Sequence, residues 1–153
     1  MKDQPEKPVM IVGIDGSDAS IEALRQAVRL AAALGARVEA VLCWNYPSVY
    51  EPPTMMGTST AEFEGEAQKV LDGAVERAVG LDWPDSLTTR LIHGPARPAL
   101  IEASKNAVML VLGRRGFGGF LGLLMGSVSS ACTAHASCPV LVVHYPLQDK
   151  SHV

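Results

Sequence analysis

The stretch GRRGFGGFLGLLMGS, residues 113–127, is where residue types and spacing first suggest chemistry. It holds six of the chain's fourteen glycines and follows the apolar run AVMLVL. Glycine weakens regular structure, so such a concentration points to turns or to backbone that must come close to a ligand. A phosphate group wants several converging backbone N–H groups and the N-terminus of a helix, whose dipole favours negative charge. Gly113 and Gly116 lack a Cβ that would block such an approach, and Gly118 and Gly119 continue the loop. Gly126 and Ser127 open the helix SVSSACTAHAS, with Ser127 available as its cap or as a hydroxyl donor and Ser129 one turn in. Arg114 and Arg115 add positive charge. At the other end of the chain, Asp15 in VGIDGSDAS supplies a carboxylate at the end of a predicted strand.

Common alternatives are excluded by their own requirements. A Walker A loop needs Gly-Lys-Ser/Thr, and no lysine precedes Ser127. A dinucleotide fingerprint needs Gly-x-Gly-x-x-Gly after the first strand, where only Gly13 and Gly16 occur. His93, His135, His144 and His152 form no i, i+4 pair, which argues against a zinc site. Cys43, Cys132 and Cys138 form no Cys-x-x-Cys and are expected to be small buried apolar residues in a reducing compartment. The formal net charge of −3 argues against general nucleic-acid binding. No apolar run approaches the ~18 residues of a membrane span, and the polar start MKDQPEKPVM does not read as a signal peptide. A cytoplasmic protein is expected.

The elements that position these residues follow from patterning. VMIVGID is a continuous β-branched-rich run, as in a strand buried on both faces. Ser17 or Asp18 then caps a helix whose Ile21, Leu24, Val28 and Ala31 repeat at helical spacing, and Gly35 ends it. RVEAVLCW is a second strand. Residues 45–60 carry three prolines and make a long connection, a mark of a mobile or functional segment. A helix from about Ala61 uses Phe63, Ala67, Val70, Leu71, Ala74 and Ala78. LTTRLIHG, ARPALIEASKN, AVMLVLG, SVSSACTAHAS and CPVLVVH complete a β-α-β-α-β-α-β-α-β order. Strands alternating with helices predict an α/β fold on a parallel sheet, in a chain of 153 residues that suggests one domain with tails at 1–8 and 146–153. In such sheets ligands bind beyond the carboxyl ends of the strands, where Asp15 and Gly113 lie.

The spacing Gly113-x2-Gly116-x9-Gly126-Ser127 resembles that of the universal stress protein family, in its ATP-binding branch. VGIDGSDAS, GPARPALIEAS and the whole stretch from VLGRRG to CPVLVV resemble it too. The resemblance implies a Rossmann-like open twisted five-stranded parallel sheet of order 3-2-1-4-5, with ATP, together with magnesium, across strands one and four. It implies that Asp15 contacts the nucleotide beside Gly13 and that Val41 to Trp44, with Val41 and Cys43, lines the adenine pocket. Gly113 would approach the ribose and Gly116 the phosphates. Arg114, Arg115, Phe117, Gly118 and Gly119 belong to the same loop, and Gly126, Ser127, Val128 and Ser129 would hold the phosphates. It also implies a homodimer through strand 138–144.

A nucleotide-dependent regulatory protein acting on a protein partner is therefore expected. Slow ATP hydrolysis or phosphotransfer is the enzyme alternative. Asp15 is its only base or metal candidate, since a phosphoryl-transfer machine needs more carboxylates and a phosphate-binding lysine. A third possibility is a dimerisation module that binds no nucleotide. Asp15 read alone is equally a turn residue. His93 and His144, at predicted strand ends, are expected to be structural.

Overall fold

A computed structural model describes residues 6–45, 60–114 and 125–145. Nine elements follow in the order β1 (Val9–Ile14), α1 (Asp18–Leu34), β2 (Arg37–Trp44), α2 (Thr60–Val79), β3 (Leu87–His93), α3 (Ala96–Ser104), β4 (Met109–Gly113), α4 (Ser127–His135) and β5 (Val140–Val143). The five strands form one sheet in the order β3-β2-β1-β4-β5, every pair parallel. This is the α/β architecture and strand order expected above.

β1 is central because it is apolar on both faces. Its register pairs Val12 with Ala40 on one side and with Val111 on the other. Met10, Val12 and Ile14 pack with Ile21 and Leu24 of α1 and Leu71 and Val75 of α2. Ile11 points the other way, into a second cluster with Val41, Leu100 of α3, Leu110, Leu112 and Cys132 of α4. Two helices therefore cover each face, the arrangement that right-handed crossovers dictate when the chain winds outward first to β3 and then to β5. The reversal falls between β1 and β4.

α1 begins at its expected cap. Ser17 has extended backbone and its Oγ accepts from the Ser20 N–H, while Asp18 is the first helical residue and takes the Arg77 guanidinium at 2.7 Å. Gly35 ends the helix in the left-handed region at φ 65°. α2 departs from its expected pattern at one position. Val70 is 46% exposed, and Val75 is buried in its place beside Ala67, Leu71 and Ala74. The stripe centred on Leu71 and Ala78 is turned toward Val75, leaving Val70 on its flank. Cys132 is fully buried as expected, whereas Cys43 and Cys138 are only half-buried; all three are free thiols. No described helix is long and apolar enough to cross a membrane.

Candidate functional site

β1 and β4 are adjacent at the point of reversal, and the helices that follow them, α1 and α4, pack into the clusters on opposite faces of the sheet, the arrangement at which open α/β sheets form a ligand crevice. On the β1 side the chain turns at once into α1. Gly16 adopts φ 87°, which an L side chain rarely takes. Asp15 Oδ1 accepts the Ser17 N–H at 2.9 Å, and the Asp15 N–H donates to Ser20 Oγ at 3.4 Å. Ser17 Oγ accepts the Ser20 N–H at 3.3 Å, and Ser20 Oγ donates to the Ser17 carbonyl at 2.9 Å. The start of α1 is thus capped by its own side chains. Asp15 itself is exposed at the crest of the sheet.

On the β4 side the backbone is tied at three points. The Arg114 N–H donates to the Val143 carbonyl of β5 at 2.9 Å, and the Gly126 N–H donates to the Arg114 carbonyl at 2.7 Å. Ser129 Oγ donates to the Gly113 carbonyl at 2.6 Å. Residues 114 and 126 are therefore joined at a neck, and α4 starts directly from it. Ser127 is not the cap. Gly126 takes that position, with φ −70° and ψ 166°, and among the described residues no side chain caps the helix. Ser127 becomes the first helical residue because the extended backbone that a cap requires is already taken one position earlier. The Ser130 N–H is the first to return to the helix, bonding the Gly126 carbonyl at 2.9 Å. A helix start leaves its first N–H groups without intrahelical partners. Here the Gly126 N–H is spent on Arg114, so Ser127, Val128 and Ser129 contribute the remaining first-turn donors. Ser127 is exposed and Val128 is half-buried against the second core. α3 also begins without a side-chain cap, after Pro95, but Pro98 in its first turn lacks an N–H.

Two of the predicted glycines have packing reasons. A Cβ on Gly113 would lie 2.8 Å from the backbone carbon and the Cβ of Ala19, so glycine lets α1 sit against the end of β4. A Cβ on Gly13 would come 2.6 Å from Leu112 Cδ2 and 3.2 Å from Leu100 Cδ1. Val41 is 1% exposed, part of the second core below the sheet edge. Cys43 lies two residues on, half-buried on the same face, and burial pushes its thiol from 9.0 up to about 11, against a weaker pull from the Arg90 charge. Burial also raises the Cys132 and Cys138 thiols. Arg114 is half-buried at the neck. Arg115, Gly116, Phe117, Gly118 and Gly119 lie outside the described residues.

One feature of this edge escapes sequence patterning. Trp44 and His93 end adjacent strands, their Cα positions are register partners, and their rings are 4.5 Å apart and tilted by 34°. The only signal was an aromatic closing each strand, and pairing them needed the β2–β3 register. Among the described residues no group of three or more His, Cys, Asp or Glu side chains could hold a metal. Asp15 is the carboxylate at the end of β1 among the described residues, and one carboxylate beside phosphate oxygens is a donor set of the kind that magnesium takes.

The family model described as "Universal stress protein family" matches residues 8–144. A universal stress protein of Mycobacterium tuberculosis strain H37Rv is 34% identical over 142 residues, covering 90% of this chain and 46% of that protein. One from Mycolicibacterium smegmatis is 36% identical over 138 residues, covering 88% and 45%. The chain thus spans about half the length of the curated relatives it matches. Among solved structures, a universal stress protein in complex with cAMP is 27% identical with a TM-score of 0.68, covering 92% of this chain and 99% of that one. A universal stress protein from Archaeoglobus fulgidus in complex with dAMP is similar in fold, at 22% identity and a TM-score of 0.60, covering 92% and 99%.

Proposed function

This chain belongs to the universal stress protein family, and from that premise we propose that it binds ATP in the crevice between the ends of β1 and β4. The observation that carries the proposal is the start of α4. Two helices begin beside the crevice, and their N-termini differ. That of α1 has the Ser17 hydroxyl capping the Ser20 N–H, whereas that of α4 has glycine at its cap and, among the described residues, no side-chain cap bond. Backbone N–H groups and the positive end of the helix dipole together favour a phosphate there. The cAMP and dAMP complexes of related and similarly folded proteins support a nucleotide as the phosphate carrier.

The residues divide the work by position. The Ser127 and Val128 N–H groups, with the exposed Ser127 hydroxyl, would hold phosphate oxygens. Asp15, across the crevice, would hold magnesium or a ribose hydroxyl. Neighbouring strands lie about 4.8 Å apart, so the end of β2 is about 10 Å from that of β4. That separation suits a base near Cys43 when the phosphates sit at α4. Gly116 and its neighbours in the 115–119 segment belong to the same proposal.

Nucleotide occupancy is proposed to act as a regulatory signal. It shifts a partner-binding state by as much as ATP prefers one conformation over another. A homodimer through strand 138–144 is part of the reading, supported by the edge position of β5 and by Tyr145, which is exposed just beyond it. Free thiols support a cytoplasmic setting. The test is to extract purified protein under denaturing conditions, identify any released nucleotide by mass, and titrate the stripped protein with ATP and magnesium by calorimetry. Micromolar binding at one nucleotide per chain is expected. No co-purified nucleotide and no heat of binding would refute the proposal.

A further inference from the structure

We infer that the Ser129 hydroxyl has a positioning role, holding the first turn of α4 in register with β4 rather than touching phosphate; this rests on the nucleotide reading above. A serine hydroxyl has one proton to donate. That of Ser129 goes to the Gly113 carbonyl at 2.6 Å, and the residue is 4% exposed. A phosphate oxygen at neutral pH is an acceptor, so Ser129 could serve it only by giving up Gly113. The carbonyl it holds is a fixed reference. Gly113 is pressed against Ala19 of α1 so closely that even a methyl would meet backbone at 2.8 Å. The next residue, Arg114, is bonded to β5 through its N–H. Ser129 stands in the same helical turn as Ser127 and Val128, so its bond transmits the position of the sheet to the donors that meet the ligand. The Gly126 N–H to Arg114 carbonyl bond is the second tie of the same neck. The hydroxyl that remains to touch a phosphate is that of Ser127, which is exposed.

The experiment compares Ser129→Ala, Ser127→Ala and the wild type by two readouts. The first is amide hydrogen exchange at Gly126 in nucleotide-free protein. The second is affinity for ATP and for adenosine by calorimetry. Ser129→Ala is expected to speed Gly126 exchange about tenfold before any ligand is added, and to weaken ATP about tenfold while adenosine changes less than about threefold, since the loss falls on one charge-assisted contact region. Ser127→Ala is expected to weaken ATP and leave Gly126 exchange unchanged. The assignment is overturned by weaker ATP binding of Ser129→Ala with unaltered exchange in the free protein, which makes Ser129 a direct contact, or by faster exchange with unaltered ATP affinity. Equal losses for ATP and adenosine also overturn it, by reducing Ser129 to general stability. If the wild type itself does not bind ATP, the nucleotide reading fails and takes this one with it; a discrepancy confined to Ser129→Ala defeats this one alone.

Discussion

Replacing Gly126 by aspartate should raise stability and abolish nucleotide binding together. Gly126 has φ −70° and ψ 166°, the extended conformation of a helix cap that aspartate adopts readily. A carboxylate there would accept first-turn N–H groups that, among the described residues, no side chain caps. Aspartate in place of glycine at a cap is worth a few tenths of a kcal/mol. A negative charge at the positive end of the dipole adds about 0.3–1 kcal/mol. A gain of about 0.5–1 kcal/mol corresponds to a Tm increase of about 1–4 °C in a domain of this size. For ATP the same carboxylate is an occupant of the site. Losing two charge-assisted hydrogen bonds of about 1.5 kcal/mol each removes about 3 kcal/mol. That is a loss of more than a hundredfold in affinity, before charge repulsion is counted.

Thermal unfolding followed by circular dichroism reads the first effect, and calorimetric titration with ATP and magnesium reads the second. Gly126→Ala is the control, since it keeps the donors open and adds no charge. It should bind within about threefold of the wild type, while its poorer cap lowers stability by up to about 1 kcal/mol. The opposite signs are what make the test sharp, because a damaged fold would lose both stability and binding. If Gly126→Asp binds ATP as well as the wild type does, the phosphates do not sit at the start of α4 and the reasoning fails.

Three further outcomes follow from the packing. Gly113→Ala places a methyl 2.8 Å from the Ala19 backbone, and overpacking of that kind should cost about 1–3 kcal/mol, read as a lower denaturant midpoint with unchanged slope. Ser17→Ala removes the α1 cap and should cost about 1 kcal/mol by the same measurement, with ATP affinity little altered because α1 is not the phosphate helix. The Cys43 thiol, held up to about 11 chiefly by burial, stays protonated where an ordinary thiol ionises. Iodoacetamide should therefore label it slowly at pH 8, with the rate climbing only toward pH 11. Between 9.0 and about 11 the folded state keeps a proton that the unfolded state has lost. Its contribution to stability is complete below the lower value and declines as pH rises through that window. Rapid labelling at pH 8 would contradict the burial of this thiol.

How much of this was legible in the residues depends on the range of the cause. Strand β1 and helix α1 could be read locally, since β-branched continuity, the Ser17 cap and the Gly35 stop are all near-neighbour effects. Gly-x9-Gly-Ser marks the start of α4 to the residue, yet side-chain preference offers Ser127 as a cap as well as a hydroxyl donor, whereas the backbone gives the cap position to Gly126. Gly113 read as an opening for a ligand. Its packing against Ala19, ninety-odd residues earlier, is a tertiary constraint that local spacing does not carry. The same holds for the Ser129 bond to Gly113 and for the Trp44–His93 pair, which exist only once strands and helices are in register. Val70 falls outside the buried face because a helical stripe defines a face to within a flank, and the neighbouring elements decide which flank is covered.

Whether phosphates sit at the start of α4 is read from the amide spectrum of 15N-labelled, nucleotide-free protein titrated with ATP and magnesium. The Ser127 and Val128 amide resonances should shift strongly downfield and saturate with one ATP per chain, while those of Ser17 and Ser20, already hydrogen-bonded within the start of α1, shift little. Saturation by ATP with Ser127 and Val128 unmoved, or with the largest shifts at the start of α1, would contradict it.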